Sequence, residues 1–403
     1  MSGFKYKYST LVVIFLCNVM AFMVFFNAPL KVDEVDYYPQ ILKYVEGDYS
    51  MNQDITAFTT YHALLAIFAK LTGLTSVWFF RAINMLFAFV SVIVFMRCAA
   101  LIEKKWPSMA LLQFAFFPII FPYFFLIYTD ILSLLMILIG LYFFLKKNYH
   151  WAAIFAIIGS CVRQNNIVWL AFFCLLSYGE PNNWKFSVNK GVSHLIKYWT
   201  FTMGFILFVG FVIINKGVAI GDRSMHPPFA FQLGNIYFLL FCFWFVFLPL
   251  NLGKLKEITS LFKKYKWLIP AILIGYIGFI LTFNNSHPFN YQWGGYFLRN
   301  RVLIFFNTSL LLKSIYFIVV LLAIFSISQI KLEQKSFYLL YPMIILYLLP
   351  SWLIEQRYYI IPFALFLLFR KEADIKTEKI LTVWLCLAGL LCFIIINSSR
   401  FFL

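Results

Sequence analysis

The run "LVVIFLCNVMAFMVFF" (11–26), followed almost at once by "KVDEVDYYPQ" (31–40), sets the frame for the whole chain. With its flanks the first is long enough to cross a bilayer, for which about 20 apolar residues are needed. The second places Asp33, Glu34 and Asp36 where the chain leaves it. Runs of the first kind recur from end to end, and the 403 residues are 63% hydrophobic and only 12% charged. A soluble fold of that size cannot hide so much apolar surface. The sequence therefore predicts an all-α polytopic membrane protein, with 1–403 as a single integral-membrane domain. Lys5 and Lys7 precede the first span and no small-residue cleavage site follows Ala28, which predicts a retained anchor.

Hydrophobic periodicity places spans near 9–29, 76–100, 108–123, 128–145, 151–162, 166–178, 198–215, 232–251, 268–284, 304–327, 336–350, 357–369 and 379–397, about thirteen segments in all. Several are short. The pair flanking "RQNN" (163–166) reads as two half-helices meeting inside the protein, because unpaired backbone cannot face lipid. The stretch 30–75 is too long for a tight turn and too polar to cross. Within it "YHALLAIFAKL" (61–71) has apolar residues at helical spacing interrupted by His62 and Lys70, which predicts an amphipathic helix in the interface.

A formal charge of +17 raises the question of nucleic acid. The 33 Lys and Arg, however, lie in short clusters between apolar runs and form no continuous basic face, so no nucleic-acid partner is predicted. Most of them fall on the N-terminal side of the spans, "EKKW", "KKNYH" and "KLKEITSLFKKYK" among them, which marks that side as cytosolic. Most of the 16 acids, and every stretch that looks chemical, fall on the other. The seven cysteines sit in or beside spans without CxxC pairing and read as small hydrophobes.

The chemical stretches are six, "YTD" (128–130) the shortest of them. In "KVDEVDYYPQ", Asp33 and Glu34 are adjacent; locally extended, they would point to opposite sides, one towards substrate and one towards an arginine or backbone. The alternative is a pair of solvated loop acids. In "CVRQNN", Arg163, Gln164 and Asn165 sit at membrane depth, where an arginine costs at least roughly 2.5 kcal/mol. Either an anionic headgroup or an internal pair with Asp130 of "YTD" would offset that cost. "GDRSMHPP" (221–228) holds Asp222, Arg223 and His226 in a Gly/Pro-framed turn suited to phosphate or sugar hydroxyls, and also composed like an ordinary turn. "NNSHPF" carries His287, more simply read as structural. "LIEQRYY" offers Glu355, Arg357 and Tyr358, of which the tyrosine also suits an aromatic belt.

As an ordered set these stretches are specific. The chain resembles the dolichyl-phosphoglucose-dependent alpha-1,2-glucosyltransferase family of the GT-C superfamily, which adds the terminal glucose to the lipid-linked oligosaccharide. The family's "DE" and "PQ" are met by Asp33, Glu34, Pro39 and Gln40; "IYTD" (127–130), "RQNNIVW" (163–169), "GDRSMH" (221–226) and "EQRYYIIP" (355–362) meet its later elements. Two positions depart: the family's paired-proline tract is "ITAFTTYH" (55–62) here, and Asn165 stands where Thr is usual.

The resemblance implies a GT-C architecture whose long first non-cytosolic loop carries the catalytic acids. It implies a polyprenyl (dolichyl) phosphate-sugar donor, a lipid-linked oligosaccharide acceptor and inverting transfer without a cofactor. Asp33 is the expected base, with Glu34 second. Arg163, Arg223 and Arg357 are expected at the donor phosphate, and Asp130, Gln164, Asn165, Asp222, His226, His287, Glu355 and Tyr358 at sugar or acceptor. No carboxylate and histidine grouping suggests a metal. In a eukaryote the site would face the lumen of the endoplasmic reticulum; in a bacterium, the periplasm.

A transporter is the alternative of another class. It needs paired broken helices in two related halves, and only the "RQNN" break fits. A third reading keeps the architecture and changes the sugar, for example to mannose or arabinose in an envelope pathway.

Overall fold

The computed structural model describes residues 8–221, 223–224, 231–292, 295–399 and 401–403. Among them the chain is helical throughout, and the only β pairing is two isolated bridges, Phe297 with Phe402 and Leu332 with Arg370. The first helix, α1 (Tyr8–Phe25), is followed by two loop helices, α2 (Glu34–Glu46) and α3 (Thr60–Thr72), then by α4 (Val77–Leu101), α5 (Pro107–Ala115), α6 (Thr129–Leu145), α7 (Tyr149–Val162) and α8 (Ile167–Gly179). The middle holds α9 (Val188–Lys197), α10 (Trp199–Asn215), α11 (Gly234–Val246), α12 (Leu248–Gly253), α13 (Leu255–Lys264) and α14 (Leu268–Thr282). Last come α15 (Pro288–Tyr291), α16 (Leu298–Asn307), α17 (Leu310–Gln329), α18 (Leu340–Leu348), α19 (Ile360–Phe369) and α20 (Ile375–Asn397).

Four of these, α1, α4, α17 and α20, are long and apolar enough to cross a membrane. The bent pairs α9–α10 and α13–α14 raise the number to 6 if each is one span. Several predicted spans are therefore built from shorter pieces. The stretch predicted at 108–123 stops as a helix at Ala115, and a single 3-10 turn, Phe121–Phe125, completes it. Pro118 and Pro122 supply no N–H to continue the ladder. That segment is sealed by its own rings: Phe116, Phe117, Phe121, Phe124 and Phe125 are all buried. Likewise 232–251 divides into α11 and α12, and α17 starts afresh at a Ser309 cap, whose hydroxyl accepts from Leu312 N–H at 3.3 Å.

The core runs between α4, α6, α8 and α19, and all ten residues of α19 are buried. The seven cysteines form no disulfide. The loop between α1 and α4 folds as α2 against α3, with Tyr37 edge-on to His62 at 4.7 Å. Predicted from its spacing, α3 buries Tyr61, His62, Leu65, Ala66 and Ala69 on one side and exposes Ile67 and Lys70 on the other. This loop pack caps the end of the bundle where the acids lie.

Candidate active site at the loop face

The loop acids differ sharply in their surroundings. Asp33 precedes α2 with helical angles (φ −64°, ψ −18°) and Glu34 is its first residue, so the extended geometry expected from sequence is not adopted. Their side chains nevertheless diverge, because successive helical residues are about 100° apart. Glu34 turns inwards and is fully buried. Its carboxylate accepts from Arg81 Nη2 at 2.6 Å and Nε at 3.0 Å, from Ile127 N–H at 2.8 Å and from Lys31 N–H at 2.9 Å. Arg81 spends its remaining donors on the carbonyls of Ala28 (2.6 Å) and Pro29 (3.1 Å). Glu34 thus ties α4, the exit of α1 and the start of the "YTD" element into one knot.

Asp33 faces the other way. Its carboxylate pairs with Arg357, its side chain keeps 25% exposure, and its N–H donates to the Tyr128 hydroxyl at 3.1 Å. Asp36, one turn on, has its carboxyl pushed above the usual range by burial and by the nearby Asp54 and Asp33. Gln40 explains the "PQ" pair: it donates to Ser50 O at 3.0 Å and accepts from Asn52 N–H at 2.6 Å, pinning the loop that follows back onto α2.

Four further stretches meet here. Arg357 Nε donates to Glu355 at 2.5 Å, and Glu355 also faces Arg299 at 3.3 Å, so an alternating line runs Asp33, Arg357, Glu355, Arg299. Beside it Arg163 pairs with Asp130 at the first turn of α6, the internal pair anticipated from sequence. The Tyr358 ring lies under both guanidinium groups, 5.5 Å from Arg163 and 5.9 Å from Arg357. The "RQNN" break itself is pinned by Asn166, which donates to Ser133 at 2.6 Å and to Gly159 O at 2.8 Å. Gln164 donates to Thr56 O at 3.2 Å, and the same carbonyl accepts from Ile220 N–H at 3.1 Å. Asn165 faces Tyr347. Gly221, at φ +65°, lies against the backbone of Gln53 and Ile55, with room for no Cβ.

Other candidates lie apart. Arg223 is exposed and donates to Asn215 at 2.7 Å, outside the ionic line. Asp222 and His226 lie outside the described residues. His287 is buried, accepts from Phe289 N–H at 3.1 Å and packs on Trp352. It stands near Asn290, which holds Ile354 in place through bonds of 2.9 Å to its N–H and carbonyl. The described residues contain no group of three or more His, Cys, Asp or Glu side chains able to hold a metal ion.

Sequence reasoning passed over Arg81, Tyr128, Arg299 and Gln356. Arg81 and Arg299 look like span-end charges until their partners are known. Gln356 is buried with neither amide atom partnered, as are Asp130 Oδ2 and Arg299 Nε. Such atoms occur elsewhere in the bundle as well, on Ser76, Trp106, Tyr316 and Arg370 among others, so the ones near Arg357 and Arg163 count only together with the ionic line they adjoin.

Fold and site together define an integral-membrane protein with a half-open ionic site at one end of its helix bundle. The chain belongs to the DIE2/ALG10 family, whose model matches residues 28–183 and 179–368. Among curated proteins it is similar to the Dol-P-Glc:Glc(2)Man(9)GlcNAc(2)-PP-Dol alpha-1,2-glucosyltransferase of Mus musculus, 25% identical over 356 residues, 72% of this chain and 74% of that one. A Homo sapiens protein of that name is 25% identical over 335 residues, 68% of this chain and 70% of its own. The one from Candida albicans is 28% identical over 192 residues, 43% and 41% of the two chains. No solved structure matches.

Proposed function

We propose that this chain is an inverting glucosyltransferase that moves glucose from dolichyl phosphate glucose to a lipid-linked oligosaccharide in alpha-1,2 linkage. The named relatives carry that activity in their names. In this reading about thirteen segments form a GT-C architecture, the loop of α2 and α3 being its first non-cytosolic loop, in the endoplasmic reticulum membrane with the site facing the lumen. Helices occupy each of the apolar stretches, and the chemical residues gather at one end of them.

The observation that carries the reading is the division of labour between neighbouring acids. Glu34 is enclosed by four donors and serves to position the loop, whereas Asp33 is the acid at the opening. Asp33 accepts the acceptor's hydroxyl proton as that oxygen bonds to the anomeric carbon; the bond from that carbon to the phosphate oxygen breaks, and its electron pair leaves with dolichyl phosphate. A phosphate needs no strong acid to depart, so one base suffices. Arg163 and Arg357 stand where they can neutralise the phosphate, and a phosphate beside Arg357 competes with Asp33 for its guanidinium, freeing the base as donor binds. Gln356, Tyr358, Gln164 and Asp130 line the same opening as candidate sugar partners.

The test is transfer by purified protein in proteoliposomes, with polyprenyl phosphate glucose or polyprenyl phosphate mannose offered alongside a lipid-linked acceptor. Glucose transfer that disappears in Asp33→Asn is expected. Transfer of mannose alone overturns the sugar assignment, and transfer of neither overturns the reading.

A further inference from the structure

Two short helices stand at the end of the molecule opposite the ionic site. Helix α9 turns into α10 through 90° and α13 into α14 through 111°. The far end of α10 leads to Ile220, bonded to the loop at Thr56, and the far end of α14 leads to His287 and Asn290 beside the Glu355 stretch. Each short helix therefore lies about 25 Å from the site, the rise of a helix the length of α10.

Helix α9 has no buried residue. Val188, Val192, Leu195 and Ile196 follow the i, i+4, i+7, i+8 pattern on one face, while Lys190, Ser193, His194 and Lys197 follow i, i+3, i+4, i+7 on the other. The apolar face continues round the elbow, through Trp199 (56% exposed), into a groove with Met203, Ile206 and Leu207 of α10. A polar groove lined by Lys190, His194 and Lys197 runs beside it. No acid lies in α9 to neutralise these lysines. His194 tethers the helix, its ring nitrogen 3.0 Å from the Ser177 hydroxyl on α8.

Helix α13 repeats the design. Ile258 is buried and Phe262 sits edge-on to Phe325 at 5.0 Å, while Lys256, Lys263 and Lys264 are exposed; its one acid, Glu257, is paired with Lys254 at 2.8 Å. The α9–α10 groove is continuous with the outer side of α10, where Ile213 and Ile214 are 70% and 86% exposed, so acyl chains suit it as a cover. The α9 lysines then stand at headgroup depth with no acid beside them on their helix, Lys197 lying over the Tyr198 ring at 5.2 Å.

We propose that the α9–α10 elbow is a binding site for an anionic glycerophospholipid of the leaflet opposite the ionic site, its acyl chains in the Val192–Trp199–Met203 groove and its headgroup on Lys190 and Lys197. This complementarity is electrostatic at the headgroup and hydrophobic below it.

Native mass spectrometry of the full-length protein released from nanodiscs of equal phosphatidylcholine and phosphatidylserine tests the proposal. Retention of phosphatidylserine over phosphatidylcholine is expected, with Lys190→Gln/Lys197→Gln lowering it by about fivefold per lysine. Lys190→Arg/Lys197→Arg should keep it, and Lys70→Gln, on α3 at the other end, should leave it unchanged. Equal retention of both lipids by the unaltered protein, or a loss with Lys70→Gln as large as with the paired variant, overturns the proposal. A second measurement does not depend on charge variants: brominated phosphatidylserine should quench tryptophan emission more than brominated phosphatidylcholine, and Trp199→Phe should remove that excess. Equal quenching by the two lipids overturns it.

Discussion

Each end of this helix bundle buries an ion cluster, and the two are built differently. At the end opposite the loop, Arg370 holds Glu378 with two bonds, of 2.7 and 2.8 Å, and both side chains are 1% exposed. Gln113 accepts from Arg370 at 2.8 Å and donates to Glu378 at 2.9 Å; Ala373 N–H adds another bond to Glu378 at 2.8 Å; and Lys104 donates to the Arg370 carbonyl. Among the described atoms of that cluster, Arg370 Nε alone lacks a partner. At the loop end, Asp33, Arg163 and Arg357 keep 25%, 14% and 11% exposure, and Asp130 Oδ2, Arg299 Nε and the Gln356 amide go unmet. The closed cluster clamps α5, α19 and α20 together. The open one leaves donors and acceptors for something else, as expected where a site departs from full satisfaction for function.

Asp33→Asn tests the open end most severely. It keeps shape and most hydrogen bonds but removes the proposed base, so turnover should fall by roughly two to four orders of magnitude, while binding of polyprenyl phosphate glucose survives. Near-normal transfer would reduce Asp33 to a loop acid. The closed end should behave in the opposite sense. Glu378→Gln leaves Arg370 buried without its counter-charge, and loss of about 3–5 kcal/mol of stability is expected, read as a lower melting temperature in detergent with turnover per folded molecule retained. Glu34→Gln belongs with it despite its place in the sequence: Arg81 loses its counter-charge, so stability should fall more than chemistry. A Glu34→Gln protein that melts normally yet transfers no glucose would move the base to Glu34.

Arg163→Ala should cost roughly tenfold to a hundredfold in kcat/KM through the donor, the worth of a charged hydrogen bond. Arg163→Lys should restore only part of it, because the flat guanidinium fork is lost. An unchanged donor dependence would leave Arg163 as nothing more than the partner of Asp130. The mildest contrast is in pH. Burial and the neighbouring Arg370 push the Lys104 ammonium down to about 8. The folded protein therefore sheds this proton before the unfolded chain does, and stability should rise as pH increases from about 8 towards the ordinary lysine value. Lys104→Met should flatten the melting temperature across that window; an unaltered slope would show that another group sets it.

The loop end also shows how far a chain can be read before it is folded. Composition and periodicity announce the helical membrane fold, α3 with its buried and exposed sides, and the broken helix at "RQNN", because these follow from runs and spacings along the chain. The ordered motifs lead to the family, and the Arg163–Asp130 pair was one of two partners open to an arginine at that depth. The resemblance put Asp33 ahead of Glu34 as the expected base, but nothing in the sequence showed which of the two is buried. That distinction depends on Arg81, 47 residues away in an apolar helix, and on Arg357, 324 residues away. Arg299 was likewise invisible, an isolated basic residue until Glu355 stands 3.3 Å from it. Hydrophobic patterning acts over neighbouring turns and is written locally. An ion pair is decided by which distant groups packing brings within a few ångströms of one another, so the sequence determined that this is a helical membrane protein with acids at one face, and only the tertiary structure decided which acid is locked away and which stands at the opening.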